Sequence, residues 1–453
     1  MKNSLDISAN VLSGKVSAVE ITQTALNKIA TNNHQLNCFT NITRETALAD
    51  AAKIDQKIAQ GENTGILSGV PFAVKNLFDI AGITTLAGAK INANNLPATQ
   101  DATAITKLKK AGAVLVGALN MDEYAYGFVT ENAHYGATHN PHDLKRIAGG
   151  SSGGSAAAVV GDLVSFSLGS DTNGSIRVPA SLCGVFGFKP TYGRLSRTGV
   201  KLFSASLDHI GHFANSVRDI AAIFDILQGE DHQDPVCTKR PPVLCLPQIN
   251  NDISNLKIAI ADDYFLQTAE SQVLKAVETV ANTLNVQEYI TIPEAKIARA
   301  AAFIITACEG ANLHLEQLKT RPQDFDFATR DRFLAGALIP NSWYIQAQRF
   351  RRWYRDQVRE LFTKVDIIIA PTTPITAPLI GQEKMILDGK EILIRPHLGL
   401  FTQPLSFIGL PVLSIPIYPE NSLPVGVQLI AAPYNEALIL QVAAELERKI
   451  LSS

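Results

Sequence analysis

Apolar positions in the first part of the chain recur at helical spacing. The sequence SAVE at 17–20 has the pattern of a capping box, and apolar residues follow it at intervals of three and four through Ile29. A second helix is predicted over residues 43–58. This segment is therefore expected to be helical.

After residue 60 the pattern changes to short apolar runs bounded by Gly, Pro or Asp, which is typical of buried strands. These runs lie at residues 70–75, 113–117, 164–169, 257–261, 365–370, 412–417 and 426–431. Helical patterns separate them, at residues 101–111, 215–228, 270–285, 295–319, 342–363 and 436–451. The alternation predicts a layered α/β fold with a largely parallel or mixed sheet.

The chain is expected to form one large domain, because no internal repeat divides it. The stretch 229–252 is rich in Pro, Asp and Asn, and it can be a linker or a long surface loop. The expected divisions are N-terminal helices over 1–60, a catalytic core over 61–228, a variable helical insertion over 229–350, and C-terminal strands and a helix over 351–453.

Composition narrows the classes of protein that remain. The 453 residues are 46% hydrophobic and 18% charged, so the chain can bury a large core and is not disordered. The net charge is −2, from 40 Lys and Arg against 42 Asp and Glu, so we expect no direct binding to nucleic acid or to a membrane surface. No apolar run reaches the roughly 18 residues that a membrane span needs.

Cysteine and histidine usage gives further exclusions. The five cysteines form no C-x-x-C pair, which argues against a disulfide scaffold and a zinc site and fits a reducing compartment. The N-terminus lacks the continuous apolar stretch of a signal peptide, so a cytoplasmic location is expected. The nine histidines show no metal-ligand spacing, and no metal is expected.

The densest candidate for chemistry is the loop RIAGGSSGGSAAAVV at 146–160. Small residues leave its backbone N–H groups free to hold an anion, and a helix follows. A phosphate-binding loop would need a Lys at its end, which is absent. The loop also matches the G-x-S-x-G nucleophile elbow, with Ser151 as nucleophile and only His314 or His397 downstream as base. A flexible linker is the third interpretation.

A second candidate is the turn DTNGS at 171–175, which follows a predicted strand. Its successive N–H groups can point into one small space, as an oxyanion hole requires, and Ser175 stands at the end of the turn. The competing interpretation is a plain β-turn, because Asn-Gly is a common turn signal.

The third candidate is Lys75, at the end of an apolar strand. Burial lowers the pKa of a lysine and can make it a general base, whereas an exposed strand-end lysine would only form an ion pair. A serine nucleophile needs a base, and no histidine lies in an obvious partner motif. A relay from Ser175 through Ser151 to a neutral Lys75 would meet that need.

These features together resemble the amidase signature family. The resemblance extends over nearly the whole chain, including residues 118–132, 366–378, 401–416 and 423–436. It implies a single α/β/α domain with a mixed sheet covered by helices on both faces. It also implies hydrolysis of a carboxamide through an acyl-enzyme, without a cofactor.

The resemblance also implies roles for individual residues. Lys75 would be the base, Ser151 the bridging serine and Ser175 the nucleophile. The backbone N–H groups of Thr172, Asn173, Gly174 and Ser175 would form the oxyanion hole, and Ser152, Asp171 and Arg177 would hold the loops. One departure is Asn173, because the family usually has Gly there. Its side chain would either reshape the pocket or tie the turn down by a hydrogen bond.

Within the family, the stretches 75–92, 167–185, 305–325 and 343–356 are most similar to hydrolases of small carboxylated ureas. The second similarity is to the glutaminase component of a tRNA-dependent amidotransferase. Both kinds of enzyme work beside a small helical partner protein, so an oligomer with a small accessory subunit is implied. A general small-amide amidase or esterase and an inactive scaffold stay open as alternatives.

A small carboxylated substrate needs a cation in its pocket, and Arg suits a carboxylate best. Arg177 is one candidate, with a structural pairing to Asp171 as its alternative. Arg332 is the other, with a solvated helix face as its alternative. Tyr124 and Tyr344 could line the pocket, although tyrosines at helical spacing are often half-buried core residues.

Overall fold

The computed structural model describes residues 3–387 and 389–451. Its centre is a mixed sheet of 11 strands, in the order β1-β3-β2-β4-β6-β5-β10-β11-β9-β7-β8 when the strands are numbered along the chain. The strands are β1 Phe39–Ile42, β2 Pro71–Lys75, β3 Val114–Leu119, β4 Phe166–Asp171, β5 Phe186–Lys189, β6 His209–Ala214, β7 Ile258–Ala261, β8 Tyr289–Ile290, β9 Ile367–Pro371, β10 Val412–Ile417 and β11 Val425–Ala431.

Fourteen α-helices cover and flank the sheet in the described part of the chain. They are α1 Ser4–Leu12, α2 Ala18–Leu36, α3 Arg44–Ala59, α4 Thr103–Lys110, α5 Gly153–Val160, α6 Arg177–Cys183, α7 Val217–Leu227, α8 Ser271–Thr283, α9 Ala295–Thr320, α10 Phe327–Ala337, α11 Asn341–Leu361, α12 Ile394–His397, α13 Gln403–Ser406 and α14 Glu436–Leu446. The predicted class, one α/β domain built on a mixed sheet, is confirmed.

Both faces of the sheet are buried, which explains why its strands are apolar runs without alternation. In β9, Ile367 and Ile369 pack into one hydrophobic cluster, while Ile368 and Ala370 pack into another on the opposite face. Successive side chains of a strand point to opposite faces, so a strand between two helical layers needs apolar residues throughout.

Seven strands of the 11-stranded sheet lie where the apolar runs predict them, and four strands of this sheet were missed. The missed strands are Phe39–Ile42, Phe186–Lys189, His209–Ala214 and Tyr289–Ile290. Each is short or interrupted by polar residues. Pairing with β6 also carries β4 past Gly169 as far as Asp171, opposite His209. The turn therefore begins two residues later than the apolar pattern predicts.

The helix predicted after residue 17 is confirmed together with its cap. The Glu20 N–H donates to Ser17 Oγ over 3.0 Å, and the Ser17 N–H donates to Glu20 Oε2 over 2.8 Å. This reciprocal pair satisfies two of the N–H groups that a helix start leaves free.

The expected insertion at 229–350 contributes β7 and β8 to the same sheet, alongside the long helices α9 and α10. The proposed division into four segments stays a prediction. Among residues 3–387 and 389–451, no helix is both long enough and apolar enough to cross a bilayer. The cytoplasmic location also stays a prediction.

Candidate active site

Lys75 ends β2 in the interior of the sheet, between the parallel neighbours β3 and β4. Its side chain is completely buried. The Nζ donates to Ser151 Oγ over 2.6 Å and to Ser170 Oγ over 2.9 Å. The alternative of a strand-end lysine in solvent is therefore wrong.

Burial lowers the pKa of Lys75 from 10.5 to about 7, because desolvation penalises the ammonium form. Three buried carboxyl groups oppose this shift, those of Asp122, Asp208 and Asp171. Desolvation is the larger effect. A lysine with such a pKa is partly neutral near pH 7 and can accept a proton.

The glycine-rich loop is packed against the sheet and is not a flexible linker. Ser151 and Ser152 are fully buried, and Ser152 Oγ donates to the Ser170 carbonyl over 3.2 Å. A Cβ at Gly150 would lie only 2.1 Å from Asp122 Oδ2, so this position requires glycine. Ser152 thus joins the loop to β4.

The nucleophile-elbow interpretation finds no support in the positions of the two histidines. His314 stacks on Tyr124 with 3.9 Å between ring centroids, and His397 Nδ1 lies 2.7 Å from the Leu393 carbonyl oxygen. The Ser151 hydroxyl is bonded by Lys75 instead. The base available to this serine is therefore the lysine.

The turn after β4 is held from within by Asp171. Its carboxylate accepts the Gly174 N–H over 2.7 Å and the Ile176 N–H over 3.2 Å. The Gly174 N–H is directed to Asp171 and is not a free donor here, so its place in the oxyanion hole stays a prediction without support from this contact. In the described part of the chain, the N–H groups of Thr172, Asn173 and Ser175 donate to no protein atom.

Thr402 fixes the turn from the opposite side. Its Oγ1 donates to the Asn173 carbonyl over 2.7 Å. Gly174 has a φ of +137°, and a Cβ there would lie 2.1 Å from Thr402 Oγ1. Both facts require glycine, so the backbone of the turn has little freedom.

Ser175 lies at the end of this turn and is 2% exposed. Between the residues that the structure describes, no hydrogen bond joins its hydroxyl to Ser151. The first link of the expected relay, Lys75 to Ser151, is thus present, and the second is not formed in this structure.

The Arg177 guanidinium is bonded to protein groups, as its structural alternative expects, and its binding of substrate stays a prediction. It is fully buried, with Nε 3.0 Å and Nη2 3.1 Å from the two Asp171 oxygens. Its Nη1 donates to Gln428 Oε1 over 2.7 Å, and Nη2 also bonds Ser406. Burial would raise the pKa of Asp171, but the guanidinium outweighs it and holds that pKa below its usual range.

Arg332 lies on α10, half-buried, and none of the ion pairs among the described residues includes it. Its Nη1 donates to the Tyr126 carbonyl over 2.7 Å, and the guanidinium carbon lies 3.6 Å from the centroid of the Tyr126 ring. Tyr126 belongs to the loop that begins at Asp122. Other residues of this loop, among them Asp122 itself, pack against Gly150. Arg332 therefore has no acidic partner in the described part of the chain, and it contacts the loop that begins at Asp122.

The two tyrosines do not lie where a substrate pocket was expected. Tyr124 is buried in an aromatic cluster with His314, Phe325 and Phe333. Tyr344 donates its hydroxyl to Glu309 Oε1 over 3.0 Å, in a surface cavity of about 380 Å³ between α9, α10 and α11. No serine of the expected relay lines that cavity, and the two substrate-binding assignments stay predictions.

Several residues of the site were missed from the sequence. Ser170 Oγ accepts a second hydrogen bond from Lys75 Nζ. Asp208 accepts a hydrogen bond from the Thr172 hydroxyl over 2.6 Å. Burial raises the pKa of Asp208 and of Asp122. Thr402 also belongs here. Of these residues, only Ser170 could have been suspected from the sequence, because it lies near the end of a predicted strand, directly before the DTNGS turn.

Within 3–387 and 389–451, no group of three or more His, Cys, Asp or Glu side chains is arranged to hold a metal ion. The groups gathered at the turn are hydroxyls, amide N–H donors and one lysine, which suit acyl transfer.

Comparison with known proteins identifies the family of the chain. Residues 20–440 match the family model Amidase. The chain belongs to the amidase family. It is therefore a hydrolase of amide C–N bonds, and its fold is that of amidase signature enzymes.

Three relatives show where this amidase stands in the family. The 1-carboxybiuret hydrolase AtzE of Pseudomonas sp. (strain ADP) is 51% identical over 98% of this chain and 97% of its own. A glutamyl-tRNA(Gln) amidotransferase chain of Carboxydothermus hydrogenoformans is 35% identical over 98% and 96%. An inhibitor-bound structure from a vestigial protein complex, linked to the origins of an s-triazine catabolic enzyme, has a TM-score of 0.97, 50% identity and 98% coverage of each chain.

Proposed function

We propose that this amidase hydrolyses a small carboxylated urea, and that its substrate is 1-carboxybiuret, which it converts to 1,3-dicarboxyurea and ammonia. The observation that carries the proposal is the buried Lys75, which bonds Ser151 over 2.6 Å and has a pKa of about 7. The 51% identity to a 1-carboxybiuret hydrolase supports the choice of substrate.

In the proposed mechanism, neutral Lys75 takes the Ser151 hydroxyl proton as Ser151 takes the proton of Ser175. The Ser175 oxygen then attacks the terminal carbonyl, and the N–H groups of Thr172, Asn173 and Ser175 stabilise the oxyanion. Collapse expels ammonia, which receives the proton back through the relay. Ser151 and Lys75 then take a proton from water, which attacks the acyl carbonyl. The Ser175 oxygen leaves and regains its proton through Ser151, and the carboxylate product is released.

Asp171 and Ser152 have positioning roles in this proposal. Asp171 joins the turn to Arg177, and Ser152 joins the serine loop to β4. Neither has to touch the substrate. They hold the nucleophile, the bridging serine and the N–H donors in fixed positions, so the entropic cost of bringing these groups together is met on folding and not during the reaction.

We assign recognition of the substrate carboxylate to Arg332, because it has no acidic partner among the described residues and contacts Tyr126, in the loop that packs on Gly150. Arg332→Gln is expected to lower kcat/KM for a carboxylated substrate by roughly 30-fold or more, as for loss of a buried charge pair. The neutral amide analogue should lose much less. Arg330→Gln is the matched control, since Arg330 on the same helix pairs with Asp331 over 2.8 Å.

The proposed function is tested by ammonia release from 1-carboxybiuret, biuret, allophanate, malonamate, glutamine and a neutral aryl amide. The highest kcat/KM is expected for 1-carboxybiuret. A preference for glutamine would instead support a role as the glutaminase of an amidotransferase, the second candidate because of the 35% identity to such a chain. A preference for the aryl amide would support a general amidase. Turnover of none of them would support an inactive scaffold.

We also propose that the enzyme works as an oligomer with a small helical accessory subunit. The similar solved structure comes from a protein complex, which supports a partner here. Apolar side chains exposed on α11 and just after α10, such as Trp343 and Leu338, would suit an interface. Light scattering of the chain purified alone and with its co-expressed partner should show a mass above one chain. A monomer in both samples would contradict this.

A further inference from the structure

The side chain of Asn173 is unsatisfied although it is buried. The residue is 7% exposed, and its Oδ1 accepts no hydrogen bond from the described part of the chain. Its Nδ2 donates to no protein atom there either. Buried polar groups are nearly always paired, so an unpaired carboxamide at this position points to a partner from outside the chain.

The turn does not need this side chain for its shape. Asp171 accepts the Gly174 and Ile176 N–H groups, and Thr402 holds the carbonyl of Asn173 itself. An asparagine that served the turn would bond one of these backbone groups. The backbone is thus fixed by other residues, and the carboxamide is left free for a ligand.

The position of Asn173 limits what that ligand can be. Its own N–H is one of the three free donors of the proposed oxyanion hole, and Ser175 lies two residues further on. A group that meets the Asn173 carboxamide is therefore adjacent to the scissile carbonyl. A carboxamide offers a donor and an acceptor side by side, and the N–H and C=O edge of a urea complements both.

We propose that the Asn173 carboxamide binds the N–H beside the scissile carbonyl and so selects urea derivatives over amides whose carbonyl is flanked by carbon. This inference rests on the proposed function, since it names the residue that recognises the urea N–H of the substrate. A site built to bond an N–H rejects the analogue that lacks it, because the polar group of the enzyme is then left unpaired.

A second buried carboxamide lies close by and provides a control. Gln403 is fully buried, and its Nε2 is unpaired among the described residues, but its Oε1 accepts Arg299 Nε over 2.9 Å. Gln403 is therefore partly satisfied by the protein and is assigned no contact with the substrate. Both residues adjoin Thr402, so both substitutions disturb the same neighbourhood.

The test compares allophanate with malonamate, which differ only in an N–H replaced by CH₂. The wild-type enzyme is expected to prefer allophanate, and Asn173→Ala and Asn173→Gly should each reduce that preference in kcat/KM by about tenfold, the size of one neutral hydrogen bond. Gln403→Leu should leave the preference unchanged. Malonamate turnover shows in the same assay whether each variant is folded and catalytically competent.

Equal loss of both substrates in the two Asn173 variants, with an unchanged preference, would overturn the inference while leaving the proposed function intact. A changed preference only in Gln403→Leu would overturn it too. If the wild-type enzyme hydrolyses malonamate but neither allophanate nor 1-carboxybiuret, the proposed function itself fails. The wild-type comparison therefore separates that failure from a failure of the Asn173 assignment.

Discussion

At the scale of single residues, the catalytic proposal depends on the protonation state of Lys75. Burial lowers its pKa to about 7, so the neutral form, which is the active base, increases as pH rises through 7. We expect kcat/KM to fall about tenfold per pH unit below that value. A pH profile of ammonia release measures it. A rate that rises on acidification would contradict a neutral lysine base.

Lys75→Arg tests the same residue without removing its charge. A guanidinium does not give up its proton, so this variant should be as inactive as Lys75→Ala. Ammonia release by the two variants measures this. An active Lys75→Arg enzyme would mean that the lysine acts only as a fixed positive charge.

Arg177 has a structural role that can be measured without substrate. Arg177→Gln would leave the Asp171 carboxylate buried without its partner, and we expect the free energy of unfolding to fall by about 3–5 kcal/mol. The control is Arg355→Gln on α11, which removes an exposed pair with Asp356 and should cost at most about 1 kcal/mol. Similar urea midpoints for the two variants would contradict the structural role.

Some site residues could be found from the sequence and others could not. Lys75, Ser151 and Ser175 each stand in a local context that is unusual for their residue type. Asp208 and Thr402 have no such context, because they act across long chain separations through the contacts of the folded state. The hydrogen bond from the Gly174 N–H to Asp171 could not be predicted either, because residue spacing alone does not reveal this contact.

At the scale of secondary structure elements, stability at the start of α2 depends on its reciprocal cap. Ser17→Ala would remove the acceptor of the Glu20 N–H, and we expect it to cost about 1 kcal/mol of unfolding free energy. Asn435 precedes α14 without a side-chain cap bond, so Asn435→Ala is the matched control and should cost less. Urea unfolding checks both. Equal losses would show that the cap bond contributes nothing.

Strands could be predicted from the sequence where both faces of the sheet are buried, because every residue of such a strand is then apolar. The strand β9 is an example, since all five residues of Ile367–Pro371 are buried. The strand β6 was missed because it carries His209 and His212, which the fold buries. Burial lowers the pKa of both imidazoles, so the neutral form is favoured there.

At the scale of the whole molecule, the sheet assembles a site from distant parts of the chain. Lys75 comes from β2, Ser151 precedes α5, the turn that carries Ser175 follows β4, and Thr402 precedes α13. The mixed sheet and its helical layers were predictable from alternation of patterns. The order of its strands was not, because it depends on pairings between segments up to hundreds of residues apart.

The gathered groups suit a reaction without a metal, and dialysis against a chelator tests this. Activity is expected to be unchanged, because the proposed base is a lysine and the proposed oxyanion donors are backbone N–H groups. Loss of activity that zinc or manganese restores would contradict the proposed relay.

The central claim is that Ser175 is the nucleophile of an amide hydrolase. Ammonia release from 1-carboxybiuret by the Ser175→Ala variant tests it most directly, with thermal unfolding to confirm that the fold is kept. The expected rate is lower than that of the wild-type enzyme by a factor on the order of 10⁶, as for loss of the nucleophile in other serine hydrolases. A folded variant that keeps a tenth of the wild-type rate would remove Ser175 from the mechanism.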